Sequence, residues 1–453
     1  MHRVVVVWTL AAVTALVAQG QFYAGAGSRV ISPDVRDYSK HSVYMGGFGK
    51  DRKATGIHDP LYARCVAFAA GSKTAPLVIC GVDSIGLFWE DTLRIRKVLA
   101  QRKVGVQGLI VAATHSHQTP DTMGLWGPGD KTGIDEAYTS RVIAGTADAA
   151  AEAVRRMQAA KARVVTVRNP ELDSFIDDDR PPKRHDSDVI AVEALDARTG
   201  KPIAVLVNWA NHPEALGSKN RLLSADYVAR LRTRLEELHA GAVAVFVNGA
   251  LGGMQSPLGA AVPGGLKDGT FEKAEYIGVR VADLTAAALD KAGEMEIARV
   301  EYREKTIRIP LSNPGFRQAM EKNMYAGRKP LNADGTTTTV VGMFRLGTVL
   351  EGAAIPGELY PELSVGGVER YAGADFPQAA IEPAVKASMM RAPHRMLIGL
   401  ANDEIGYIIP KAEWDDAAPW LNGAKKRWYG EVNSIGPEAA PAIAAALAEL
   451  FGK

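Results

Sequence analysis

Leu109-Ile110-Val111-Ala112-Ala113-Thr114-His115-Ser116-His117 joins five apolar residues to a polar cluster that holds two histidines. Five apolar residues in a row suit a buried strand better than a helix, which needs a longer run. The polar cluster then falls just past a strand's carboxyl end, where α/β proteins gather their ligands. A His-x-His pair at a strand's end sends both rings to one face, because side chains alternate with a period of two. One metal ion is then within reach of both.

The same grammar recurs outward from this stretch. Residues 61–68 and 76–82 read as strands joined by the turn Gly71-Ser72-Lys73, and 142–157 is an Ala-rich helix. Residues 188–195 and 203–209 are strands with a turn over 196–201. Ser224 or Asp226 caps a helix with Val228, Leu231, Leu235 and Leu238 on one face. Residues 243–247 form another buried strand, followed by a Gly-rich loop. The second half is richer in strands: 298–309 alternates, Asn332-Ala333-Asp334-Gly335 is a turn, and 340–345 with 348–355 form a hairpin turned at Leu346-Gly347. An Ala-rich helix over 441–450 closes the chain. The charged, proline-rich stretch 171–188 is expected to be an exposed loop. Alternating strands and helices without repeats or low-complexity linkers argue for an α/β fold, one large catalytic unit with mixed β-sheets and flanking helices.

The chain has 453 residues, and 53 Lys+Arg stand against 51 Asp+Glu, a formal net charge of +2. That balance, with no Lys/Arg run, gives no electrostatic case for nucleic acid. Met1-His2-Arg3 is a short basic start, Val4 to Ala18 is apolar or small, and Ala18-Gln19-Gly20 suits cleavage. Residues 1–20 are therefore expected to be a signal peptide, with 21–453 the mature chain, secreted or periplasmic. The apolar stretch is short of the ~20 residues a spanning helix takes. Cys65 and Cys80 are the two cysteines. A symmetric hairpin sets them opposite each other, either bridged, as an oxidising compartment permits, or as two half-buried thiols.

A third histidine follows a strand in Asn208-Trp209-Ala210-Asn211-His212-Pro213, where the proline ends regular structure. A catalytic zinc takes about three N/O ligands and keeps a position for water. A carboxylate placed after a strand is therefore of interest, and Glu358 in Ile355-Pro356-Gly357-Glu358 is one. Taken singly, His212 reads as a loop histidine, Glu358 as a turn glutamate and Tyr407 as a core tyrosine.

Together these segments resemble a known family. Gly47-Phe48-Gly49 with Gly56-Ile57-His58-Asp59-Pro60-Leu61-Tyr62-Ala63-Arg64 resembles the opening of neutral ceramidase catalytic domains. Thr114-His115-Ser116-His117, His212-Pro213 and Pro356-Gly357-Glu358 resemble that family's Thr-His-x-His, second histidine site and Pro-Gly-Glu. Gly406-Tyr407-Ile408-Ile409 with Glu413-Trp414, and Tyr429-Gly430-Glu431 with Gly436-Pro437, resemble its closing blocks. The motifs keep family order from about residue 45 to the C-terminus.

The resemblance implies a zinc ion held by His115, His212, Glu358 and Tyr407. It implies that His117 contacts the scissile amide and moves protons, that Arg168 binds the substrate head, and that Ser256 hydrogen-bonds or attacks. The implied activity is cleavage of an N-acyl, ceramide-like amide by zinc-bound hydroxide, with membrane-surface contact. Two departures stand out. Met254 in Gly253-Met254-Gln255-Ser256-Pro257 takes the place of the family's acidic or amide residue. The family's C-terminal immunoglobulin-like domain is expected to be missing. Other classes fit less well. A barrel amidohydrolase needs His-x-His on its first strand and more histidines downstream than His185, His212, His239 and His394, of which His185 lies in the charged loop and His239 ends a helix facing solvent. A serine hydrolase needs a Gly-x-Ser-x-Gly elbow, which is absent from the sequence. An exported lipid- or glycan-binding protein that does not cut would have no use for all four zinc ligands.

Overall fold

Residues 109–113 do form a strand, Gly108–Ala113, at one end of an eight-stranded sheet. The computed structural model describes residues 21–34, 42–178, 180–181 and 183–452, so the expected leader lies outside the described residues. Across the sheet the order is Val243–Asn248, Pro202–Trp209, Val189–Asp196, Gln158–Val167, Phe22–Val30, Tyr62–Ala70, Leu77–Val82 and Gly108–Ala113. The two outermost pairs are parallel and every inner pair is antiparallel. The parallel ends matter, because both point the carboxyl ends of their strands into one loop cluster.

Period-two alternation sorts side chains between two cores. Val66 and Phe68 of one strand face a second sheet, while their neighbours Cys65 and Ala67 face helices. The helix Glu136–Arg155 covers that face. It starts earlier than its Ala-rich part suggests because the Asp135 side chain accepts the Ala137 and Tyr138 N–H groups. The helix lies so close that a Cβ at Gly27 would stand 2.2 Å from the Ala149 carbonyl. At the other end Tyr227–Leu238 and Phe271–Leu289 play the same part. Val228, Leu231 and Leu235 are buried, but Leu238, at the helix end, turns out to solvent.

The second sheet runs Val300–Pro310, Thr336–Leu346, Leu350–Ala354, His394–Ile398. Phe344, Leu346, Met396 and Ile398 pack on the first sheet, and Ile309, Met343 and Leu397 pack under the helix Ala439–Phe451. The layers are thus helix, sheet, sheet, helix. Each large apolar side chain sealed between them contributes about 1.5–3 kcal/mol. Among the described residues no helix is long and apolar enough to cross a membrane.

Cys65 and Cys80 are register partners, fully buried and joined by a disulfide, so the half-buried thiol alternative does not hold. In the chain-entropy picture a crosslink over a 15-residue separation contributes about 3 kcal/mol.

Two expectations for charged segments are corrected. The stretch 171–188 is not a solvated loop: it begins with a short helix, Pro170–Ser174, and buries Asp178, Arg180 and Asp186. Arg180 donates to Tyr360 Oη and Glu431 Oε1, both at 3.1 Å, and Asp186 pairs with Lys386 and Ser364. Its charges are satisfied by residues roughly two hundred positions away. His239 does end a helix, yet it is buried and pairs with Glu193 at 2.7 Å.

Candidate metal centre and cavity

The strand Gly108–Ala113 ends before the histidines, and the pleat does not aim them. His115 instead takes a left-handed backbone with φ 65°, an uncommon conformation outside glycine. Its N–H bonds Ser84 O at 3.0 Å, which fixes the turn. His117 N–H bonds Pro213 O at 3.1 Å, tying the first histidine segment to the second. The convergence expected of His115 and His117 is therefore real, but a turn causes it. Gly47 sits against the His117 ring so tightly that a Cβ there would lie 2.4 Å from Cγ. That close approach accounts for a glycine in Gly47-Phe48-Gly49.

His212 follows the strand Pro202–Trp209 across the same sheet. Glu358 and Tyr407 come from the second sheet's side, on two-residue strands paired in parallel, Glu358 with Tyr407. Asn248 locks the loops together, its Nδ2 donating to Thr114 O at 2.8 Å and its Oδ1 accepting the Asn211 N–H at 3.2 Å. All of these groups are buried.

The ring centroids of His115, His117 and His212 lie 5.0–5.6 Å apart. One donor atom from each can be chosen so that all lie within 4.8 Å of one another. His115 Nδ1 stands 2.5 Å from Ile85 O, and His212 Nδ1 stands 2.6 Å from Gln255 O. A carbonyl oxygen can only accept, so each Nδ1 carries a hydrogen and each Nε2 is the nitrogen turned inward. Both Nε2 atoms face the same oxygen, Glu358 Oε2, at 3.5 Å and 3.0 Å. Donor atoms around one tetrahedral ion with ~2.0 Å bonds stand about 3.3 Å apart. Two inward Nε2 atoms and a carboxylate oxygen at that spacing, bridged here by the His212 Nε2–Glu358 Oε2 hydrogen bond, suit a cation that takes the proton's place, and anchored Nδ1–H groups are how ligating imidazoles are held. The residues thus fit a metal. Burial opposes the Glu358 carboxylate, but the His115 and His212 rings outweigh it and hold the group well below the usual range.

Tyr407 Oη donates to Met254 Sδ at 3.1 Å, and its ring meets Tyr360 and Tyr429 edge-on. Met254 therefore stands at the cluster, where it receives the tyrosine hydroxyl. Ser256 lies one layer behind: its Oγ accepts the Leu258 N–H at 3.0 Å and bonds Glu214, while its backbone pairs with Asp177. Arg168 is not brought to the site. Its side chain is 75% exposed and pairs with Asp188 on the surface, because the strand Gln158–Val167 ends short of the cluster. The buried arginine behind the aromatic wall is Arg180, bonded to Tyr360.

Sequence reasoning passed over Glu214. This buried carboxylate places Oε2 3.1 Å from His117 Nδ1, a charge contact not aligned as a hydrogen bond. Burial pushes the His117 ring down to about 4. Burial opposes Glu214 as well, yet His117 holds it down to about 2. The available signal was its position, two residues after His212 in His-Pro-Glu.

His115, His117, Glu358 and Tyr407 share the wall of one cavity. The rest of its wall is mostly apolar, with Phe88, Met123, Leu125, Trp126, Phe316 and Tyr325, and Lys329, Thr337, Glu404 and Asn433 are its polar exceptions.

No protein-family model matches the chain, and no curated protein matches it in sequence. Solved structures do match in fold. Neutral ceramidase from Pseudomonas aeruginosa aligns at a TM-score of 0.70 and 18% identity, covering 95% of this chain and 74% of that one. A ceramidase complexed with C2 aligns at 0.69 and 18%, covering 95% and 75%. The chain therefore has the neutral ceramidase fold, a mixed α/β architecture, as the sequence motifs lead one to expect.

Proposed function

We propose that this protein is a metal-dependent hydrolase of a linear amide, related to the neutral ceramidases and acting on an N-acyl, lipid-like substrate. One observation carries the reading: two histidines with anchored Nδ1 atoms aim Nε2 at a single Glu358 oxygen, beside a largely apolar cavity. His115, His212, Glu358 and Tyr407 would hold the metal, and zinc suits that N/O set. With a metal held there, the site would gain Lewis-acid polarisation of the amide carbonyl and a water whose pKa falls to ~7. Glu214 keeps the hydrogen of His117 on Nδ1, leaving Nε2 to take a proton from the attacking water and return it to the leaving nitrogen. Ser256 bonds Glu214 and so steadies the carboxylate rather than attacking. The apolar walls bind the acyl chain and exclude water. The test is elemental analysis of the purified protein alongside hydrolysis of a series of N-acyl amines. About one metal per chain, with turnover abolished by a chelator and restored by zinc, is expected. Turnover that persists without metal would exclude the reading.

We also propose that the protein is exported. Met1–Gly20 reads as a signal peptide, and the buried Cys65–Cys80 bridge suits an oxidising compartment. Mature protein recovered outside the cytosol should start near Gln21 with no free thiol. A full-length cytosolic chain with two reduced cysteines would contradict export.

A further inference from the structure

A second pocket lies against the cavity. Met320, Tyr325 and Lys329 line the cavity, and the same three residues line an outer pocket that exposed Arg317, Pro330 and Leu331 open to solvent. Where they stand, the wall is a single layer of side chains. The chain doubles back to build it: Met320 lies in the last turn of the helix Pro314–Glu321, and left-handed Asn323 (φ 53°) and Ala326 (φ 49°) bring Tyr325 and Lys329 round beside it. Two of the three side chains are pinned. Lys329 is buried, pairs with Asp403 and sets its Nζ 5.8 Å from the Phe88 ring. Tyr325 packs edge-on against the same ring, with centroids 5.2 Å apart. Met320 is half-buried and packs between two apolar clusters, the one around Phe88 and the one beneath the closing helix. An unbranched thioether with three rotatable bonds re-packs easily. Met320 is thus the movable part of the partition, and swinging it aside leaves an opening the width of a polymethylene chain.

We propose that the outer pocket is the far half of a chain-binding site: a long, unbranched acyl chain passes Met320 and ends against Leu331, so that the passage lets the site take chains longer than the cavity. This rests on the amide-hydrolase reading of the same site. A chain confined to the cavity gains nothing from methylenes beyond the partition. A chain that passes it gains about fourfold in affinity for each further methylene taken out of water. Leu331 is 37% exposed and lines the outer pocket without lining the cavity, so its contact matters to long chains alone.

The experiment has a binding arm and a turnover arm, both on the full chain supplied with zinc. Calorimetry compares octanoate, dodecanoate and hexadecanoate below their aggregation limits. Turnover compares octanoyl with hexadecanoyl p-nitroanilide by kcat/KM. Wild-type affinity is expected to rise across the whole series. Leu331→Asn, on an exposed site where folding is not at stake, should weaken hexadecanoate by about fivefold or more and leave octanoate unchanged. Met320→Trp, which plugs the passage, should erase the gain from dodecanoate to hexadecanoate. A wild-type affinity that stops rising before hexadecanoate overturns the proposal with no variant needed. An equal effect of Leu331→Asn on octanoate and hexadecanoate overturns it too, as does a Met320→Trp protein that keeps the wild-type rise. The expected length dependence and Leu331 effect without turnover of either amide support the passage and remove the hydrolase reading instead.

Discussion

His115→Ala is expected to strip the metal from the protein and to lower amide turnover by at least about a thousandfold. The size of the effect follows from how the ligands are held. His115 is aimed by a left-handed turn and by its Nδ1 contact with Ile85 O, an anchoring that the neighbouring His117 lacks. Removing it leaves His212 and Glu358 with an oxygen–nitrogen pair at 3.0 Å and one anchored lone pair fewer. Losing even an outer partner of a metal ligand costs 10–100-fold in affinity or activity, and losing a ligand costs more. His117→Ala is the control. Its ring has reach to the same point, but its Nδ1 faces Glu214 rather than a backbone carbonyl. With His117 in the proton-moving role, that variant keeps its metal and loses turnover. Elemental analysis of both variants, with circular dichroism to confirm folding, decides the matter. A His115→Ala protein that still binds one metal and turns over would sink the ligand assignment.

What the sequence made legible was local, and what it hid was long-range. Apolar runs of five or six residues marked the strands Gly108–Ala113, Leu77–Val82 and Val243–Asn248 because both faces of those strands are buried. The histidines after Gly108–Ala113 and after Pro202–Trp209 stand out because ligands gather beyond strand ends. Nothing local says that Glu358 and Tyr407, from another sheet, meet them. Ordered motifs resembling a family supplied that link, and the geometry gives it a physical form. The misreadings share one cause. Stretch 171–188 and His239 read as solvated in the sequence because charged neighbours along the chain suggest solvent. In the fold, Arg180 finds Glu431, Asp186 finds Lys386 and His239 finds Glu193, all far along the chain. Arg168 fails in the opposite sense: the family resemblance implies a substrate-binding role, but its exposed side chain pairs with Asp188 at the surface. Glu214 went unseen because a carboxylate near a histidine is common, and only its burial makes it informative.

Glu214→Gln is expected to lower kcat by about 10²–10³-fold while leaving metal content and KM close to wild type. The substitution preserves shape, so a structural collapse is not the expected outcome. What changes is which nitrogen of His117 carries hydrogen. The carboxylate, 3.1 Å from Nδ1, can only accept, and so it favours hydrogen on Nδ1 and a lone pair on Nε2. A glutamine can turn its NH₂ toward Nδ1, which moves the hydrogen to Nε2 and removes the acceptor that faces the reaction. The charge matters as well. Burial drives the His117 ring toward its neutral form, and the Glu214 charge is the strongest force opposing that. Without the carboxylate the ring protonates less readily, so the acid limb of the pH–rate profile moves to lower pH. A residue that merely propped up the loop would shift neither the limb nor kcat apart from KM. Should metal content fall in step with kcat, Glu214 acts through its neighbour His212 and the proton-path role is lost. Should kcat hold, the contact with His117 is incidental. A drop in kcat with metal retained and the acid limb lowered requires the carboxylate to work through the His117 ring, since no other titrating partner on that nitrogen is in place to produce it.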